Sequence, residues 1–434
     1  MNKVIKVISF FENIKKIDIV LLFVNLLFFI SALFFSFKFS IFPEYDELAY
    51  IDHVKTISES KNYFYLGDRN RMPLFNYFLF IFYAIEFPNF DTYKLLQFAN
   101  IFFTTLFSFW YCFKIKKFFK SNVAYLSCVI FTIFIPVFCF IHDIVVEPIF
   151  YLCFGLFFVY FLELINNFTY INSFKFGAIG VLLYLLKATG FFLLCLSLFF
   201  LIFYLIIQNR KITINDSLKI LSSLVIFFAI ASPYLYENYK NYNNNLFYNV
   251  NSTFYVWYDT WEEVENGTKL YGDRVGWPNM PDEDIPSLSK YLEEHTLGDV
   301  LLKIVNGYKN ILLFYFSITE FTGSLTISIF LLLSFIFFKV DSSKRRDVFR
   351  KYKTAILYLL FLSAFILSST AWYQLTNSIQ RFSILIFIPM YLLIFLFFDK
   401  LLSFNNSIVQ RNSFIFIVFT FAITQITIFL NYIV

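Results

Sequence analysis

Charge is what this chain has least of. Only 15% of its 434 residues are Asp, Glu, Lys or Arg, against about 25% in a soluble domain, which excludes an ordinary soluble fold. Its five cysteines, Cys112, Cys128, Cys139, Cys153 and Cys195, lie in or beside apolar runs without CxxC spacing. That excludes a disulfide framework and a cysteine zinc site. There is no Gly-rich nucleotide loop and no large inner-side domain, which argues against a nucleotide-sugar donor. Nor do two halves share Gly/Pro-broken segments, as an inverted-repeat transporter would.

Apolar surface is what the chain has most of. Hydrophobic residues make up 59%, mean hydropathy is +0.67, and there are 67 Phe and 30 Tyr. The Phe excess reads as compositional bias rather than as an aromatic binding device. The composition predicts an all-α polytopic membrane protein, one transmembrane domain over 1–434. The first run, 17–41, is too long for a signal-peptide core and lacks a small-residue cleavage site, so it is expected to stay as a span. Further spans are expected near 92–113, 122–141, 148–165, 174–187, 190–207, 217–235, 311–338, 354–371, 382–398 and 413–433. That makes eleven. The run 73–87 is about 15 residues long and is read as interfacial or re-entrant.

Positive charge orients this arrangement. With the N-terminus inside, the inner segments carry 21 Lys and Arg and 7 Asp and Glu, while the rest carries 14 and 23. Making 73–87 a full span would move SSKRRDVFRKYK to the outside, which the positive-inside rule rejects. The two large outer segments are then 42–91 and about 236–310, the latter rich in Asn, Tyr, Trp and acids. The chemistry is expected on the extracytoplasmic side of a plasma or bacterial inner membrane.

From Asp46 the first outer segment has a helical pattern. Leu48, Ile51, Val54 and Ile57 form an apolar stripe suited to lying on the membrane surface. Asp46, Tyr50 and His53 share another face, with His53 read as an exposed helix residue. Asp52, Lys55 and Glu59 form a ladder expected to face solvent. Arg69 and Arg71 precede Pro73. They read as interfacial anchors or, beside acids, as a fork for an anionic head group.

DELAY (46–50), followed some twenty residues later by DRNRMPL (68–74), resembles a known family. It is the polyprenyl-phosphate-sugar-dependent membrane glycosyltransferases of the GT-C superfamily, which include protein O-mannosyltransferases and the lipid A aminoarabinose transferase. HDIVVEPIFYL (142–152) is similar to the family's second outer acidic turn, with Glu147 or Asp143 as the acid. GVLLYLLKATGFFLL (180–194) looks like its Lys-containing break between two spans. SPYLYENYKNY (232–242) and WYQLTNSIQRFSILIFIPMY (372–391) resemble its motifs at the large outer loop and at a late span. Met72-Pro73 stands where the family has Pro-Pro, Glu237-Asn238 where it has Arg-Asn, and Phe382 where it has Tyr.

The resemblance implies sugar transfer from a polyprenyl-phosphate carrier to a lipid, glycan or protein hydroxyl, with inversion. Asp46 matches the family's base, which takes the proton of the incoming hydroxyl. Glu47 is grouped with Asp46 as catalytic, binding the acceptor or fixing the loop, the alternative being a rim salt bridge. Tyr50 either orients Asp46, stacks on a sugar, or is a plain interfacial tyrosine. Donor phosphate is assigned to Arg69, Arg71, Lys187 and Arg381. A lone Lys between apolar runs marks function, the alternative for Lys187 and Arg381 being snorkelling to the outer surface. Asp143 and Glu147 would hold acceptor, sugar or a divalent cation. Oxygen ligands would suit Mg²⁺ or Mn²⁺, but no metal is predicted. Trp257, Tyr258, Trp261 and Trp277 form either an acceptor platform or a membrane-docking surface. The competing functions are a lipid-linked glycan polymerase or ligase, and a lipid or solute transporter.

Overall fold

A computed structural model describes residues 16–39, 43, 45–60, 72–85, 91–208, 212–241, 246–247, 256–260, 262–263, 266, 286–317, 321–339, 342–373, 379–402, 412, 416, 420 and 424. Arg69, Arg71, Trp261, Trp277 and most of the expected last span lie outside them. Among the described residues the chain is all-helical, with no strand. Seven helices are long and apolar enough to cross a membrane, beginning with α1 (Lys16–Phe39). The run Pro73–Tyr83 forms a shorter helix, as do Asn122–Thr132 and Tyr170–Leu186.

Two short helices follow α1. Helix α2 (Tyr45–Ser60) packs on α3 (Pro73–Tyr83), and α3 also meets α4 (Thr92–Ile115). Pro73 suits the first turn of α3, where its missing N–H has no intrahelical partner to lose. Ile51, Val54 and Ile57 of α2 are buried in the protein, and only Leu48 of the expected membrane-facing stripe is exposed. His53 is also buried, correcting the expectation of an exposed residue. The Asp52, Lys55 and Glu59 ladder is exposed as expected.

The expected span 122–141 is interrupted. Helix α5 (Asn122–Thr132) opens into a wide turn, Ile133–Val137, that contains Pro136. Proline has no N–H to return to the preceding turn and its ring crowds that carbonyl, so a regular α-helix cannot continue. The chain then enters α6 (Glu147–Asn166) through 141–146, a turn held by side chains from two helices. Ser36 of α1 and Gln97 of α4 donate to the His142 carbonyl at 3.2 and 3.3 Å, and Asn100 donates to that of Asp143 at 2.7 Å.

Helix α7 (Tyr170–Leu186) stops at Lys187, whose backbone is extended, and α8 (Thr189–Ile207) begins at once. Gly190 makes this possible: a Cβ there would strike the backbone of Leu183 and Tyr184. Helix α9 (Ile214–Asn241) lies against α7. The expected span 311–338 is two helices. Amphipathic α11 (Leu297–Phe316), preceded by α10 (Leu288–Glu294), ends before α12 (Phe321–Lys339). Its polar residues had placed its first turns in an outer loop. Helix α13 (Ser342–Trp372), short α14 (Ile379–Ser383) and α15 (Phe387–Leu402) follow. The segments starting at Glu147 and Arg381 are the most enclosed of the seven apolar spans.

Candidate functional site

Four charged side chains from four separate parts of the chain meet at one point. Asp46 stands in the first turn of α2, Glu147 opens α6, Lys187 fills the break between α7 and α8, and Arg381 lies on α14. Arg381 grips Glu147 with two nitrogens, Nε to Oε1 at 2.6 Å and Nη2 to Oε2 at 2.9 Å. Its third nitrogen, Nη1, donates to Asp46 Oδ2 at 2.5 Å. Lys187 Nζ donates to Glu147 Oε1 at 2.8 Å. The phenol of Tyr151, one turn beyond Glu147, donates to the Arg381 carbonyl at 2.5 Å and fixes the backbone behind the guanidinium.

The cluster is asymmetric. The Glu147 side chain is 1% exposed, Lys187 21%, Arg381 22% and Asp46 35%. Lys187 also lies over the rings of Phe382 and Phe150, at 4.8 and 5.4 Å, so its ammonium has aromatic faces as well as a carboxylate. Tyr50 is buried edge-on against Phe75 at 4.9 Å.

Neighbouring carboxylates Asp46 and Glu47 have different surroundings. Adjacent positions on a helix point about 100° apart, so one turns to the cluster and the other into the protein. Glu47 accepts from the Tyr93 hydroxyl at 3.0 and 3.1 Å and from the Ile144 amide at 2.7 Å. It ties α2 to α4 and to the 141–146 turn. Of the two acids expected from that turn, Glu147 joins the cations. Asp143 pairs with His142 at 3.2 Å. Tyr93, Tyr151, Gln97 and Asn100 were not singled out in the sequence, although an Asn and a Gln inside an apolar run are themselves a signal.

Burial pushes the His142 imidazole down to about 4, the nearby Glu47 carboxylate opposing this only in part. The unfolded chain takes up this proton near pH 6.5, so between pH 6.5 and 4 the unfolded state binds more protons and stability falls as pH is lowered. The thermal midpoint of purified protein is expected to drop across that window. His142→Gln should flatten that part of the curve. An unchanged pH profile in the variant would show that this imidazole is not the group titrating.

Among the described residues no three His, Cys, Asp or Glu side chains converge to hold a metal ion, and the Arg381 guanidinium bonds to both Asp46 and Glu147.

A second polar cluster lies in the 236–310 segment. Asp259 accepts from His295 Nε2 at 2.8 Å, Lys303 Nζ at 2.5 Å and the Tyr291 hydroxyl at 3.1 Å. Tyr291 stacks on His295 at 4.0 Å, and Trp257 packs on Tyr291 and Trp372. Trp372, the last residue of α13, donates its indole N–H to the Val256 carbonyl at 2.8 Å. Trp257 is thus engaged with the protein's own aromatics, and the Tyr258 carbonyl accepts from Lys303 at 3.4 Å.

No protein-family model and no curated protein sequence matches this chain.

Proposed function

We propose that the chain is an integral-membrane glycosyltransferase that moves a sugar from a polyprenyl-phosphate carrier to an extracytoplasmic hydroxyl. The observation that carries this reading is the meeting of Asp46 with Arg381, which Glu147 holds beside Lys187. A half-open carboxylate beside two cations at the ends of apolar helices has the parts that such a transfer requires.

The acceptor oxygen attacks the anomeric carbon from the face opposite the phosphate, which inverts that carbon. Its proton passes to an Asp46 oxygen, acting as general base. The bond from the anomeric carbon to the phosphate oxygen breaks, and its electron pair stays on that oxygen. The departing phosphate is a stable anion, so it needs cations and no proton donor, unlike the leaving oxygen in glycosidases. Arg381 and Lys187 supply positive charge to the phosphate oxygens through charge-assisted hydrogen bonds. Charged donors aimed at developing charge in a site closed to water are among the strongest contributors to catalysis. Glu147 holds the two cations together.

This function goes with eleven spans, the N-terminus inside, the C-terminus outside, and the site on the outer face of a plasma or bacterial inner membrane. The net positive inner segments support that orientation. The acceptor is a lipid, glycan or protein hydroxyl.

The test is transfer of labelled sugar from a synthetic polyprenyl phosphate by purified protein. Asp46→Asn, normally inserted, is expected to lower the rate about 10²- to 10⁴-fold. Full activity in that variant would sink the assignment of the base. Absence of transfer by the wild type from any lipid-phosphate sugar would favour a transporter.

A further inference from the structure

Among the described residues the four charges of the cluster balance: Arg381 and Lys187 against Asp46 and Glu147. For a donor phosphodiester to take a guanidinium nitrogen there, one carboxylate must yield its place. The contacts decide which. Glu147 is 1% exposed and held by three nitrogens from two residues. Asp46 is 35% exposed, and Arg381 Nη1 pairs with it.

Resting on the proposed function, we infer that Asp46 is a latch as well as a base. In the empty protein it occupies the guanidinium nitrogen that the carrier phosphate takes, and the phosphate displaces it. A carboxylate paired with a guanidinium is a poor proton acceptor, because the arginine already stabilises its negative charge. Arrival of the donor frees Asp46, so the base becomes competent only when there is a sugar to transfer. This makes the order of binding donor first, acceptor second. It also keeps the site from activating a hydroxyl in the donor's absence.

The surroundings suit a small movement. Glu47 anchors α2 through Tyr93 and Ile144, so release needs a rotamer change at Asp46 and no motion of the helix. Asp46 lies in the first turn of α2. There the helix amides and dipole favour an anion once Arg381 has let go. Glu147 stays behind and keeps Arg381 and Lys187 aimed at the incoming phosphate.

The test is binding of farnesyl phosphate, a short polyprenyl phosphate without sugar, to purified protein in detergent. Asp46→Asn and Asp46→Ala are expected to bind it on the order of fivefold more tightly than wild type, as removal of a partly exposed competing ion pair implies. Farnesol, which lacks the phosphate, should bind all three proteins equally. Equal or weaker farnesyl phosphate binding by both variants overturns the latch, and so does an equal gain for farnesol. Either result leaves the proposed function standing if wild type transfers labelled sugar. No detectable farnesyl phosphate binding by folded wild type overturns the function and the latch together.

Discussion

Glu147→Gln is expected to destabilise the protein by about 3 kcal/mol or more, the range for removing one partner of a buried ion pair. The glutamine keeps the shape and takes away the charge on which Arg381 and Lys187 both rest. Arg381 would keep Asp46, and Lys187 would lose the carboxylate it is bonded to, in surroundings that give it little water. The lost stability appears as a lower thermal midpoint in detergent. It should be recovered in part by adding Lys187→Met, because Arg381 and Asp46 then balance. Such recovery is the signature of coupled charges in a double-mutant cycle. If the two substitutions instead add, the ion pair seen at 2.8 Å between Lys187 and Glu147 does not carry the stability assigned to it.

Arg381→Lys is expected to lower kcat/KM for sugar transfer about a hundredfold or more, the size of the loss when one oriented donor to developing charge is removed. Charge is conserved, but the fork is not. Three guanidinium nitrogens now reach two carboxylates, and a single ammonium cannot reproduce that arrangement. The variant should also bind farnesyl phosphate less tightly, which separates loss of the phosphate clamp from loss of the base at Asp46. Near-normal turnover in Arg381→Lys would mean that charge alone suffices and that the guanidinium geometry is incidental.

Different parts of this arrangement were legible in the sequence to different degrees. Apolar runs and charge asymmetry show a membrane bundle directly, because length in lipid and the positive-inside bias are properties of segments read one at a time. Pro136 marks a place where a helix must change, yet the wide turn it makes depends on α1 and α4 side chains holding the carbonyls beyond it. The division of labour between Asp46 and Glu47 could not be read from DELAY itself. It arises from what faces each side of α2, namely Tyr93 and Ile144 for one and Arg381 for the other. Lys187 stood out because a cation between apolar runs has few innocent explanations. Its contact with Glu147 joins residues 40 positions apart, and Arg381 meets Asp46 across 335. Pairings at that range are set by packing, here by the close approach at Gly190 and by the enclosed spans that begin at Glu147 and Arg381.

Trp372 fastens Val256 and Trp257 to the chain close to the cation cluster. Its indole is bonded to the Val256 carbonyl, its ring meets Trp257 and Tyr291, and Arg381 follows only nine residues later. A leash of that length can span at most about 32 Å. The hold on Val256 and the hold on Glu147 and Asp46 therefore lie within one short reach of chain.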